Sequence, residues 1–162
     1  MSPQKLALHP GRVASLLILI AVALISAAII AQSNHISAHA DDSRNGEISP
    51  AELSEIEPGY YLVHDAAAAY REMIAALRAA GHDSTLNSAY RTLEQQQELI
   101  DSLGLLEDGG TAARLGTSEH GDGIAVDLVL DWDALAWMRE NAADFGFAET
   151  IESEPWHWAY VN

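Results

Sequence analysis

The apolar and polar positions divide the 162-residue chain into an apolar N-terminal run and a mixed remainder. Residues 13–31 are 19 uncharged positions, interrupted only by Ser15 and Ser26. A spanning helix needs about 20 apolar residues and a secretory signal core about 7–15, so this length favours an uncleaved transmembrane anchor. The small-x-small pattern that ends at Ala40 keeps a cleaved signal peptide as the alternative.

These features predict four segments along the chain. They are a basic N-terminus (residues 1–12), a transmembrane segment (13–31), a polar linker (32–45) and one folded domain (46–162). Lys5 and Arg12 precede the apolar run, and positive charge is typical of the cytoplasmic side of a membrane. We therefore expect the folded domain to lie outside the cytoplasm.

The hydrophobic spacing of the folded part predicts a mixture of helices and strands. Tyr70, Ile74 and Leu77 share one face of a helix that begins at Asp65 and ends near Ala80. A capping box at Thr92 and Gln95 opens a second helix to about Leu103, and Asp131 or Asp133 caps a third from Ala134 to about Ala143. Strands are predicted at 85–89 and 124–130, with short strands and turns after Phe145.

The charge of the chain excludes several classes of function. All 24 acidic residues lie at or after Asp41, against six arginines in the same stretch, and the whole chain carries a formal charge of −16. Binding to a phosphate backbone needs a basic footprint, so we expect no nucleic-acid partner. The chain has no cysteine, which excludes disulfides, thiolate metal sites and a cysteine nucleophile.

A metal site is indicated by one acid and two histidines. Asp127 lies at the centre of the apolar strand 124–130, where a carboxylate is costly to bury unless it is paired or binds a metal. His120 lies in a glycine-containing turn just before that strand, and His157 lies in an aromatic C-terminal segment. Two imidazoles and one carboxylate leave a fourth position open, which is typical of catalytic rather than structural zinc sites.

Two further residues fit the chemistry of hydrolysis. Glu154 precedes His157 by three residues, so it suits a general base that deprotonates a metal-activated water. Arg91 lies at a predicted strand-to-helix junction and is one of few cations in the domain. It could bind a substrate carboxylate or stabilise a tetrahedral oxyanion.

In this order, the motifs resemble those of the VanY-like zinc D-alanyl-D-alanine carboxypeptidases, which are bacterial cell-wall peptidases. The pattern Ser-x-His-x-x-Gly-x-Ala-x-Asp is met from Ser118 to Asp127, and Glu-x-x-His is met at Glu154 and His157. Tyr90 and Arg91, followed by a glutamine-containing helix, complete the resemblance, which covers about residues 45–160.

The resemblance implies a small α+β domain, with a short antiparallel sheet, helices packed on one side and a zinc ion at the open face. It implies hydrolysis of peptidoglycan stem peptides by a monomer, either attached to the bacterial cell membrane by its N-terminal helix or secreted after cleavage near Ala40. The roles implied for single residues are zinc binding by His120, Asp127 and His157, catalysis by Glu154 and Arg91, and substrate binding by Arg91, Ser118, Tyr90 and Trp156.

Three alternatives stay open at this point. One is an endopeptidase of the same family that cuts an L-Ala-D-Glu bond or a cross-link, and another is a non-catalytic domain that binds the cell wall. The third is a calcium module, because residues 41–52 match several positions of an EF-hand loop. Pro50 within that loop and the lack of a good entering helix argue against the calcium module.

Overall fold

The computed structural model describes residues 44–162. Three α-helices and six strands are formed within them: β1 (Leu53–Glu57), β2 (Tyr60–Val63), α1 (His64–Ala79), β3 (Ser84–Ser88), α2 (Leu93–Leu103), β4 (Ala125–Leu130), α3 (Trp132–Asn141), β5 (Phe147–Ala148) and β6 (His157–Tyr160). Short 3-10 helices occupy Pro50–Glu52, Leu106–Asp108 and Ala142–Phe145. No helix between residues 44 and 162 is both long and apolar enough to cross a membrane.

The strands form two antiparallel sheets. β1 and β2 make a hairpin, and the other four strands form a sheet in the order β3-β4-β6-β5. β4 is central and apolar, and the buried side chains of Val126 and Leu128 belong to the main core. Trp158, paired with Val126 across β4 and β6, is the largest side chain among those almost fully buried. The expected α+β class with a small antiparallel sheet is confirmed.

Helix α1 provides the largest helical contribution to this core. Ala66, Ala67, Tyr70, Met73, Ile74 and Leu77 are all buried on one side of it, as the spacing of the apolar positions predicts. The helix begins one residue before the predicted cap Asp65, which lies in its first turn and faces the positive end of the helix dipole. Gly81, just beyond the helix end, has a φ of +92°, a conformation that favours glycine.

The other predicted elements are found close to their expected positions. The capping box of α2 is formed at Thr92 and Gln95, and Asp131, rather than Asp133, accepts a hydrogen bond from the Ala134 amide at the start of α3. The two predicted strands appear as β3 and β4, each shifted by a residue at one or both ends.

The N-terminal predictions fall largely outside the described residues. This applies to the basic segment 1–12, the transmembrane segment 13–31 and the linker up to residue 43. Asn45, the last residue of the predicted linker, is attached to the domain, because its side-chain amide donates to the Ser118 carbonyl and to Asp122 Oδ1, both at 2.7 Å. Of the loop that resembles an EF-hand, Pro50–Glu52 forms a 3-10 turn and Glu52 pairs with Arg44.

Candidate metal centre

The sheet places three polar side chains in one row. Asp127 on β4 pairs with Ser88 on β3 and with His157 on β6. Residues directly opposite each other on neighbouring strands point to the same face, so the three side chains are adjacent. The register of β3 shifts between Leu86 and Ser88, which brings Ser88 rather than Asn87 opposite Asp127.

His120 reaches this row from the turn that leads into β4. The turn is held by hydrogen bonds from the Gly121 amide to the Ser118 carbonyl and from the Gly123 amide to the His120 carbonyl. Gly123 has a φ of +68°, which a residue with a side chain rarely adopts. The backbone thereby turns back, and His120 Nε2 lies 3.3 Å from Asp127 Oδ1.

Each imidazole has one nitrogen held by an acceptor outside the row. His120 Nδ1 is 2.8 Å from the Ala89 carbonyl oxygen, and His157 Nε2 is 2.8 Å from Glu119 Oε2. Because a carbonyl oxygen can only accept, His120 Nδ1 carries a proton, whereas each ring nitrogen of His157 faces a carboxylate oxygen. The other two nitrogens, His120 Nε2 and His157 Nδ1, both face Asp127 Oδ1.

The charges of the site act strongly on one another. Burial alone would lower the pKa of His157, but hydrogen bonds to Asp127 and Glu119 raise it to about 9. Burial would raise the pKa of Asp127, yet hydrogen bonds from His120 and His157 outweigh it and hold that pKa well below the usual range. The hydrogen bond from His157 likewise lowers the pKa of Glu119. The site therefore favours positive charge at its centre.

The donor set fits a zinc ion. One ligand atom each from His120, Asp127 and His157 lies within 4.8 Å of the other two, and both histidines are buried. Ligand atoms about 2.0–2.1 Å from a tetrahedral centre are about 3.3 Å apart. The two nitrogen-to-oxygen distances at Asp127 are 3.1 and 3.3 Å. Two imidazole nitrogens and one carboxylate oxygen are thus close enough together to bind a single zinc ion.

A cleft of about 780 Å³ opens onto the three ligands. Among residues 44–162, Arg91 is the one arginine or lysine that lines it. Its guanidinium donates to Gln96 Oε1 at 2.7 Å and to Ser88 Oγ at 3.1 Å, and its backbone amide donates to the His120 carbonyl. Burial lowers the pKa of Arg91 and the nearby Asp127 opposes this shift, so the guanidinium remains a positioned cation.

Most of the predicted site residues meet in this cleft. Glu154 lines it from the turn before β6, where the His157 amide donates to the Glu154 carbonyl, and Trp156 lines it with about half its surface exposed. Ser118 is buried, and its hydroxyl accepts a hydrogen bond from the His120 amide. The cleft thus brings together Arg91, Ser118, His120, Asp127, Glu154, Trp156 and His157.

Tyr90 is not brought into the cleft. Its hydroxyl accepts a hydrogen bond from the Ile48 amide at 3.0 Å, and its ring is absent from the cleft lining. It connects the N-terminal segment of the domain to the strand-to-helix junction that carries Arg91. A contact between Tyr90 and substrate stays a prediction.

Sequence reasoning assigned no role to two residues that hold the site together. Glu119 accepts hydrogen bonds from His157 Nε2 and from the Thr150 hydroxyl, at 2.8 and 2.7 Å. Gln96 is 3% exposed and connects Arg91 to the Ala113 carbonyl. A signal for Gln96 was present, since it follows Arg91 by five residues on a predicted helix. The partner of Glu119 is 38 residues away, so local spacing could not reveal it.

A family model described as VanY, D-alanyl-D-alanine carboxypeptidase, matches residues 59–162. A D-alanyl-D-alanine carboxypeptidase of Enterococcus faecalis is 31% identical over an alignment of 121 residues, and 57% of this chain is covered. The aligned region covers 45% of that relative's length.

Two solved structures share the fold and a similar level of identity. VanYB in complex with D-alanine-D-alanine has a TM-score of 0.60 at 29% identity, with 68% of this chain and 77% of that chain covered. A mutant of the D,D-pentapeptidase VanY in complex with Zn(II) has a TM-score of 0.58 at 30% identity, with 68% and 79% covered.

Proposed function

The chain belongs to the VanY D-alanyl-D-alanine carboxypeptidase family, and we propose from this that it is a zinc metallopeptidase that acts on peptidoglycan stem peptides. The specific activity proposed is removal of the terminal D-alanine from a D-alanyl-D-alanine end. The observation that carries the proposal is the convergence of His120, Asp127 and His157 in a cleft that Glu154 and Arg91 also line. Zinc in a solved relative and D-alanine-D-alanine in another support the same chemistry.

His120 Nε2, Asp127 Oδ1 and His157 Nδ1 would hold the zinc ion. When bound by three protein ligands, zinc would act as a Lewis acid that lowers the pKa of a bound water and polarises a carbonyl group. The Ala89 carbonyl keeps the proton of His120 on Nδ1, so that the lone pair of Nε2 points towards the ion. The presence of Glu154 in the same cleft favours an enzyme over a non-catalytic wall-binding domain, because binding alone requires no base.

Glu154 and Arg91 would perform the remaining steps. The Glu154 carboxylate takes a proton from the attacking water and returns it to the amine that leaves. Arg91 donates hydrogen bonds to the carbonyl oxygen as negative charge develops there, or to the carboxylate of the substrate. Since Gln96 and Ser88 already hold the guanidinium, little ordering of Arg91 is needed when the substrate binds.

We also propose that the domain works outside the cytoplasm. The apolar segment 13–31 and the basic residues before it support this location, as does a substrate that forms part of the cell wall. Whether that segment remains as a membrane anchor or is cleaved near Ala40 would be decided by N-terminal sequencing of the mature protein.

Digestion of purified muropeptides by the zinc-loaded protein, followed by mass spectrometry, tests the proposed reaction. Release of free D-alanine from pentapeptides is the expected result. Products cut at an L-Ala-D-Glu bond or at a cross-link would instead identify an endopeptidase. Binding of muropeptides without any product would identify a wall-binding domain.

The role of Glu154 is tested in the same assay. Glu154→Ala is expected to keep zinc and to lose about 10²–10⁴-fold in kcat, because proton transfer by a positioned base contributes about that much. Glu152→Ala, an exposed acid two residues away, serves as the matched control and is expected to retain activity. Wild-type turnover by the Glu154 variant would show that the base is assigned wrongly.

A further inference from the structure

His157 lies between two carboxylates that compete for its single proton when the ring is neutral. Asp127 Oδ1 is 3.1 Å from Nδ1, and Glu119 Oε2 is 2.8 Å from Nε2. A neutral imidazole carries its proton on one nitrogen only, and the other nitrogen presents the lone pair. The carboxylate that holds the proton therefore decides which nitrogen can bind a metal.

Glu119 is better placed than Asp127 to accept the proton of a neutral His157 ring. Its hydrogen bond to His157 is the shorter of the two, and the Thr150 hydroxyl donates to the same oxygen at 2.7 Å, which fixes the carboxylate in place. The His157 side chain is 4% exposed and Glu119 is 34% exposed, so the ring is buried while the carboxylate reaches it from the wall of the cleft.

The other histidine of the site shows the same arrangement with a different acceptor. His120 Nδ1 donates to the Ala89 carbonyl, which belongs to the backbone and is not removed by a side-chain substitution. The Glu119 carboxylate thus faces the outer ring nitrogen of His157 in the way that the Ala89 carbonyl faces the outer ring nitrogen of His120. Such partners of metal-binding histidines set the tautomer and the ring orientation.

We propose that Glu119 is a positioning residue of the metal centre. By accepting the Nε2 proton of His157 it leaves Nδ1 free to bind zinc, and Thr150 holds Glu119 in the orientation that this requires. Without Glu119, Asp127 would be the remaining carboxylate beside the ring, so it would favour the proton on Nδ1 and oppose metal binding. The inference rests on the metal site of the proposed function and not on the reaction catalysed there.

Zinc affinity measured by chelator competition tests the proposal. Glu119→Ala is expected to bind zinc about 10–100-fold more weakly, which is the usual effect of losing such a partner. Glu119→Gln and Thr150→Val are expected to lose less, because the first keeps an acceptor oxygen and the second keeps the carboxylate. Glu149→Gln is the matched control, since it breaks an exposed pair with Arg139 next to Thr150 without touching either histidine.

Nitrogen NMR of the zinc-loaded proteins provides a readout that does not depend on activity. In the wild type the His157 proton is expected on Nε2, and Glu119→Ala is expected to show a changed signal for that nitrogen. Unchanged affinity in Glu119→Ala, or an equal loss in Glu149→Gln, would overturn the proposal. A wild-type protein that binds no zinc would overturn it together with the proposed function, whereas zinc binding without peptide hydrolysis would remove the function alone.

Discussion

Asp127 is the residue around which the site is built, because its Oδ1 atom faces one nitrogen from each of the two histidines. The sequence indicated this role through a carboxylate at the centre of an apolar strand. It could not indicate Glu119, whose contact with His157 depends on how the turn before β4 meets β6. The ligands of a metal can be read from residue type and spacing, whereas the groups that orient them require the tertiary structure.

A substitution of Gln96 tests how far the position of the Arg91 guanidinium depends on its hydrogen bond to that side chain. Gln96→Leu keeps the approximate volume but removes the acceptor of the Arg91 guanidinium and the donor to the Ala113 carbonyl. We expect kcat/KM to fall by up to about 10²-fold, the loss that a displacement of about 1 Å in a positioned group can cause. Steady-state kinetics of D-alanine release would measure this loss, and zinc affinity is expected to stay unchanged.

The neighbouring glutamine supplies the control for this variant. Gln97 is exposed and donates to Asp101 within the same helix, so Gln97→Leu should change both stability and activity little. If Gln96→Leu lowers the melting temperature but leaves kcat/KM intact, Gln96 serves the packing of α2 and not the position of Arg91.

At the scale of elements, the helices and strands followed from local patterns but their pairing did not. The capping box at Thr92 and the apolar face of α1 are short-range features, and both were predicted. The sheet order β3-β4-β6-β5 and the shifted register beside Ser88 arise from pairings between distant segments. Because that register places Ser88 in line with Asp127, part of the site geometry was also beyond local prediction.

The contact of α1 with the β1–β2 hairpin predicts that the stability of the domain falls as the pH becomes alkaline. Tyr70 is 2% exposed and donates to Glu57 Oε1 at 3.0 Å, and burial together with that carboxylate raises its pKa well above the usual range. Above about pH 10 the unfolded chain releases this proton while the folded chain keeps it. The free energy of unfolding should therefore fall by up to about 1.4 kcal/mol per pH unit from this group.

Denaturant unfolding between pH 9 and 11 would isolate the contribution of Tyr70. The variant Tyr70→Phe cannot ionise there, so its stability should decline less steeply than that of the wild type. Tyr61→Phe is the control, since Tyr61 is 40% exposed on the same hairpin and its loss should leave the steep decline in place. Parallel declines for wild type and Tyr70→Phe would mean that the phenol ionises equally in both states.

For the molecule as a whole, the acidic charge of the sequence excludes nucleic-acid partners but does not show which acids have a function. In the structure, Asp127, Glu154 and Glu119 account for the acids that line the cleft, where two histidines and Arg91 face them. Most other acids lie on exposed positions such as Glu72, Asp83 and Glu140. The acids thus divide into a few at the site, whose charge is compensated by nearby cations, and many that are exposed to solvent. The sequence suggests such a division but does not show which acids belong to each group.

The solvated part predicts that the domain gains stability from salt. Like charges on a compact surface repel one another, and the Debye length falls from about 30 Å at 0.01 M to about 8 Å at 0.15 M ionic strength. The melting temperature should rise over this range, by about 4 °C for each kcal/mol of repulsion relieved.

A double variant, Glu72→Gln with Glu140→Gln, tests this prediction. Because both acids are exposed, the variant should melt at a higher temperature than the wild type at low salt and show a smaller salt dependence. It should keep its activity, because neither acid lines the cleft. A melting temperature that is flat or falls with salt would show that the ion pairs of the surface, such as Arg139 with Glu149, outweigh its repulsion.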